Sequence, residues 1–174
     1  MTVQISEILI YNGEEYQLKS VPLEPYLEKH NIIFGATNSA CWRGYIGHWL
    51  IEGECLYLTN LSAHLAIDGN SRWAGEEVEM DYLFPGQNKV FAEWFSGELR
   101  IPHGRMIPCV HGWKDYYHEK ELIIEFVNGK FVSSREIDNT QFYDEKKEFE
   151  RKNVDSLFAY IDENLHENDV DVWD

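Results

Sequence analysis

Gly44-Tyr45-Ile46-Gly47-His48-Trp49-Leu50-Ile51-Glu52-Gly53-Glu54-Cys55-Leu56-Tyr57-Leu58-Thr59-Asn60-Leu61 is the stretch that decides the fold. Two runs rich in aromatic and aliphatic residues flank the polar joint Glu52-Gly53-Glu54, the pattern of two strands joined in a hairpin. Side chains alternate along a strand. In the second run Leu56, Leu58 and Ser62 therefore share one face, and Tyr57, Thr59 and Leu61 the other.

The same signature recurs on both sides. Asn12-Gly13 lies between an apolar run ending at Tyr11 and a second run containing Tyr16 and Leu18. Asn128-Gly129 separates residues 122–127 from residues 131–137. Asn-Gly between apolar runs favours a two-residue turn in which both positions need positive φ. Val21-Pro22-Leu23-Glu24-Pro25 should interrupt regular structure, with a short helical turn around residues 26–29. Residues 68–81, from Asp68-Gly69-Asn70-Ser71 into an acidic run, read as a surface loop, and Leu83-Phe84-Pro85-Gly86 as a turn. Residues 90–95 and 98–101 flank Ser96-Gly97 as two further strands, after which Pro102-His103-Gly104 and Pro108 punctuate the chain.

Beyond residue 140 the period changes. Val154, Leu157, Phe158, Ile161 and Leu165 fall at helical spacing, with Asn153 as N-cap and Asp155 in the first turn. The expected fold is α+β: a bent antiparallel sheet, or a partly closed β-barrel, with a C-terminal α-helix packed on it. Residues 1–174 read as one domain, with a β-rich body over 1–140 and an acidic helical extension and tail over 141–174. Closing or covering the sheet is expected because open strand edges invite aggregation.

Charge narrows the function. The chain carries 31 acidic and 15 basic residues, a formal net of −16. Residues 141–174 alone hold 11 acids and 4 bases. Such a balance disfavours nucleic acid and anionic membranes, because neutralising phosphates takes clustered Lys and Arg. It attracts basic proteins and speeds their encounter. The bland alternative is that excess acid only keeps the protein soluble. Three cysteines without CxxC spacing, Cys41, Cys55 and Cys109, make no disulfide framework and fit a reducing compartment. The opening Met1-Thr2-Val3-Gln4-Ile5-Ser6-Glu7 is no basic-then-apolar leader, and no run approaches the ~20 apolar residues of a membrane span. A cytoplasmic protein without membrane contact is expected.

Candidate chemistry concentrates at residues 103–118, with His103, Cys109, His111 and His118 among Trp113, Tyr116 and Tyr117. The spacing matches no zinc module. Cys109 and His111 could share a strand face as nucleophile and base, but no oxyanion donor or orienting acid is recognisable. The acidic groups Glu76, Glu77, Glu79 and Asp81, and Glu119 with Glu121, read as solvated faces before they read as hydrolase carboxylates. Phosphate-binding glycine loops, GxSxG and HExxH are missing from the sequence. No cofactor, metal or catalytic residue is therefore expected. The remaining enzyme reading is a small-ligand pocket lined by His, Cys and Tyr over residues 103–118. The aromatics are more informative, since Trp and Tyr dominate binding hot spots.

Ala40-Cys41-Trp42-Arg43-Gly44-Tyr45-Ile46 through Leu56-Tyr57-Leu58, Leu83-Phe84-Pro85-Gly86, the run from Val90 to Pro102, and Lys120-Glu121-Leu122 resemble a family of small uncharacterised bacterial proteins over roughly residues 5–140. That resemblance implies no activity and no site residues. In general character the chain also resembles immunity proteins of bacterial toxin systems, including contact-dependent growth inhibition. That likeness implies an inhibitor that covers the cationic active site of a toxin, a nuclease above all. The partner-binding residues expected on this reading are Trp73, Glu76, Glu77, Glu79, Asp81 and Trp113, with Asp162, Glu163, Glu167, Asp169 and Asp171 in the acidic extension.

Overall fold

A computed structural model describes residues 4–67, 72–108, 116–143 and 152–153. These residues are mostly β. The elements are β1 (Glu7–Tyr11), β2 (Glu14–Leu18), α1 (Glu24–His30), β3 (Tyr45–Glu52), β4 (Cys55–Ala66), β5 (Ala74–Glu79), α2 (Met80–Leu83), β6 (Val90–Phe91), β7 (Gly97–Pro108), β8 (Tyr116–Val127) and β9 (Lys130–Asp138). The chain packs as two units: residues 1–103 with 121–137, and residues 104–120 with 138–174.

All nine strands contribute to the first unit. Seven run in the order β2-β1-β3-β4-β9-β8-β7, while β5 and β6 pair with β4 off that path. The three expected hairpins form on two-residue turns with positive φ throughout: Asn12 and Gly13, Gly53 and Glu54, Asn128 and Gly129. The sheet is mixed, which corrects the antiparallel expectation, because β1 lies parallel to β3 with Leu9 opposite Trp49. It is not closed into a barrel. Its two end strands are bridged at one place just beyond β2, where the Lys19 amide donates to Arg100 O (3.1 Å) and the Arg100 amide to Ser20 Oγ (2.9 Å).

β4 organises this unit. One edge pairs with β3. The other is shared in turn by Lys130 of β9 opposite Cys55, by β6 opposite Tyr57 and Leu58, and by β5 from Ser62 to Ala66. Its register with β3 shifts between His48 and Trp49, so that His48 faces Asn60 while Trp49 faces Leu58. Thr59 is the extra residue of a β-bulge, which changes the side-chain parity. Leu61 and Ala63 thereby join Leu56 and Leu58 in the core, correcting the alternation that put Leu61 on the opposite face. Trp49, Leu56 and Leu58 are fully buried with Leu9, Leu18, Leu99, Ile124 and Phe126. Each such side chain contributes about 1.5–3 kcal/mol.

Other expectations are revised. Residues 74–79 form strand β5 rather than part of a loop, and Met80–Leu83 form a short helix. Only Val90–Phe91 of the expected 90–95 strand is extended, because the chain turns where the Phe95 amide bonds Ala92 O (3.0 Å). β7 runs straight through Pro102. Its place at the end of the strand order explains this, since an edge strand has N–H positions that need no ladder partner. α1 begins at Glu24 with Pro25 in its first turn, where a missing N–H costs nothing.

In the second unit Ile107 is buried. The buried Asn139 donates its side-chain amide to His118 O (3.0 Å) and its backbone amide to Glu119 O (2.8 Å). Glu119 accepts from Arg105 Nε (2.5 Å), a bond that holds its carboxyl below the usual carboxylate range. The expected C-terminal helix over 154–165 lies outside the described residues.

Candidate functional site

Segment 34–45 builds a surface that sequence periodicity alone does not disclose. Asn38 Oδ1 accepts the Ala40 amide (2.8 Å), and the Gly44 amide closes a turn onto Cys41 O (3.2 Å). Gly44 has φ +74°, and a Cβ there would meet Gly35 O at 2.4 Å, so the turn needs glycine. Trp42 stands at its tip, 52% exposed. Ala36 bridges in parallel to Trp73, with the Ala36 amide bonded to Arg72 O (2.7 Å) and the Ala74 amide to Ala36 O (3.1 Å). This bridge sets Trp73, 60% exposed, beside Trp42 with ring centroids 6.5 Å apart. Tyr82, also exposed, lies 6.5 Å from the buried Phe34 ring, and Ile33 is exposed one residue before it.

A groove of about 420 Å³ adjoins these aromatics. One wall is a single face of α1, with Glu24, Leu27, Glu28 and Asn31 at helical spacing. The other is Ile32, Ile33, Phe34, Trp42, Arg43 and Tyr45. Behind it lies a buried charge pair. Glu7 has no exposed side-chain surface and accepts from Trp49 Nε1 (2.5 Å), with Arg43 Nε 3.5 Å from its other oxygen. Gly47 makes room, since a Cβ there would meet both Glu7 Oε2 and Trp49 Nε1 at 2.8 Å. Burial raises the Glu7 carboxyl from 4.5 to about 7, against the lowering pull of the Trp49 hydrogen bond and the Arg43 charge. Arg43 also covers the Tyr45 ring, 5.4 Å from its centroid. Burial pushes the Tyr45 hydroxyl upward as well.

Among the described residues some acids are ion-paired and others, Glu15, Glu54 and Glu93 as well as those at this surface, are not. Glu52, Glu98, Glu119 and Glu121 are paired with Lys89, Arg135, Arg105, and Lys19 with Arg100 respectively. Glu76, Glu77 and Glu79 on β5 are exposed and form no ion pair among the described residues. Asp81 accepts the Gly86 amide (2.9 Å) and forms no ion pair among the described residues. Comparison with protein-family models, with curated proteins and with solved structures finds no match to this chain.

Of the residues expected to bind a partner, Trp73, Glu76, Glu77, Glu79 and Asp81 lie along β5 and its flanks. Trp113, Asp162, Glu163, Glu167, Asp169 and Asp171 lie outside the described residues. Of the expected His, Cys and Tyr pocket, His103 Nε2 meets Glu136 at 3.2 Å and His118 Nδ1 meets Gly104 O at 3.2 Å. Cys109 and His111 lie outside the described residues. Among the described residues no three His, Cys, Asp or Glu side chains are grouped as metal ligands. Sequence reasoning missed Trp42 as Trp73's neighbour, and missed Glu24, Glu28 and the buried Glu7–Arg43 pair. The spacing of Glu24, Leu27, Glu28 and Asn31 was the one available signal.

Proposed function

We propose that this protein is an inhibitory binder of a basic protein, an immunity protein that neutralises a cationic bacterial toxin domain, such as a nuclease, by covering its active site. One observation carries the reading: the exposed Trp42–Trp73 pair stands beside a strand whose three glutamates have no basic partner among the described residues. Exposed aromatics that exclude water beside unneutralised acid are what a binding surface for a cationic protein requires. Carboxylates on β5 would stand where substrate phosphates lie in a nuclease cleft, and the chain's net −16 would steer the encounter. A solubilising role accounts for the acids but not for two tryptophans held half in water.

The test is to mix the purified chain with basic toxin domains, beginning with any that a neighbouring gene encodes, and follow both complex formation and toxin activity as salt is raised. A complex that weakens steeply with salt and silences the toxin is expected. Unchanged toxin activity together with no salt-sensitive complex refutes the proposal.

A further inference from the structure

We propose that the groove between α1 and segment 32–45 is an arginine-accepting subsite, into which a side chain of the basic partner inserts its guanidinium between Glu24 and Glu28 while its methylenes lie on Leu27, Ile32 and Trp42. The assignment rests on the inhibitory-binder reading and names the residue type that the partner presents.

Charge complementarity selects the occupant. Glu24 and Glu28 sit one helical turn apart on the face of α1 that lines the groove, and both are exposed. Like charges at that spacing oppose each other and weaken an isolated helix, and a cation placed between them relieves the cost. The one cation in the lining, Arg43, does not supply that relief. It faces the buried Glu7 carboxylate and lies over Tyr45. With Glu7 ionised the four groups Glu7, Arg43, Glu24 and Glu28 sum to −2, and with it protonated to −1, so the groove favours a cation either way. Apolar surface selects among cations. Leu27, Ile32, Ile33 and Phe34 would strip water from a well-hydrated ammonium, whereas a guanidinium is weakly hydrated and stacks on an aromatic face such as the half-exposed Trp42. A groove of about 420 Å³ has room for one long side chain and its neighbours. It is continuous with the Trp42–Trp73 pair, because Trp42 belongs to both.

The probe is the peptide acetyl-Leu-Arg-Leu-amide, titrated against the full chain by calorimetry and by amide chemical shifts, beside its neutral citrulline analogue. The arginine peptide should bind at least about tenfold more tightly than the citrulline peptide, with the shifted amides in α1 and residues 32–45. Glu24→Gln with Glu28→Gln should abolish that preference while leaving the thermal midpoint unchanged or slightly raised. Glu15→Gln with Glu93→Gln makes the same change of net charge away from the groove and should leave the preference intact. Equal binding of the two peptides, or a preference that survives the Glu24/Glu28 change, overturns the assignment. If the peptides behave so while a salt-sensitive complex with the toxin domain still forms, only the subsite falls. If the arginine peptide binds as expected and no basic protein does, the antidote reading falls and the subsite stands.

Discussion

Glu7→Gln separates the electrostatics of the buried pair from its packing. The native carboxyl holds its proton up to about pH 7, whereas the unfolded chain releases it near 4.5. The native state therefore binds the proton more tightly. The stability this confers is fully present below pH 4.5 and is lost as pH rises through about 7. A shift of that size is worth about 3 kcal/mol in full, and between pH 5 and pH 8 the wild type should lose between about 2 and 3 kcal/mol through this group alone. Glutamine is nearly isosteric and its carbonyl can still accept from Trp49 Nε1, so the slope disappears without a cavity. The groups facing Glu7 are Trp49, Arg43, Glu24 and Tyr45, and their common effect cancels when the variant is compared with the wild type at the same two pH values. At pH 5 the native Glu7 is neutral, so Arg43 lacks a counter-ion in wild type and variant alike, and at pH 8 the pull of Arg43 on the ionised carboxylate is already contained in the net upward shift. Urea unfolding at pH 5 and pH 8 is the assay. The quantity to compare is the wild-type change in unfolding free energy minus the change in Glu7→Gln. If that difference stays below about 1 kcal/mol, or if the wild type gains stability toward pH 8 relative to the variant, the Arg43 charge outweighs burial and the reasoning fails.

Gly44→Ala should destabilise the fold by at least about 2 kcal/mol, since φ +74° penalises any side chain and its Cβ would collide with Gly35 O; thermal melts read this directly. Leu58→Ala, at a fully buried position of β4, should cost about 2–5 kcal/mol in urea unfolding. Trp42→Ala and Trp73→Ala should each leave stability within about 1 kcal/mol, yet weaken capture of the proposed cationic partner at least about tenfold, a split that a merely structural role for the pair would not produce.

Much of the sheet was legible because its signals are local. Three hairpins form at Asn12-Gly13, Gly53-Glu54 and Asn128-Gly129, where a two-residue turn demands positive φ at both positions and so marks itself in the residues that tolerate it. The run Glu76-Glu77-Val78-Glu79 was misread because strand propensity is weak in acidic residues, and what holds β5 is its ladder to β4. Pro102 misled for a similar reason, since its tolerance depends on where β7 stands in the strand order.

The candidate site divides in the same way. Sequence alone determined that the chain is acidic, rich in aromatics, and carries an acidic run, Glu76, Glu77, Glu79 and Asp81, close after Trp73. Only the tertiary structure decided that Trp42 stands beside Trp73, that Glu24 and Glu28 overhang a groove, and that Glu7 is buried against Trp49 and Arg43. The tryptophan pair and the Glu7 contacts join residues 31 to 42 positions apart, through the bridge of Ala36 to Trp73 and the parallel β1–β3 pairing. Turn chemistry acts between neighbours and is written into them, whereas parallel pairing and burial depend on which distant segment arrives. The bulge at Thr59 shows the difference within one strand: alternation follows from the backbone, but the extra residue that reverses it exists only against the partner β3.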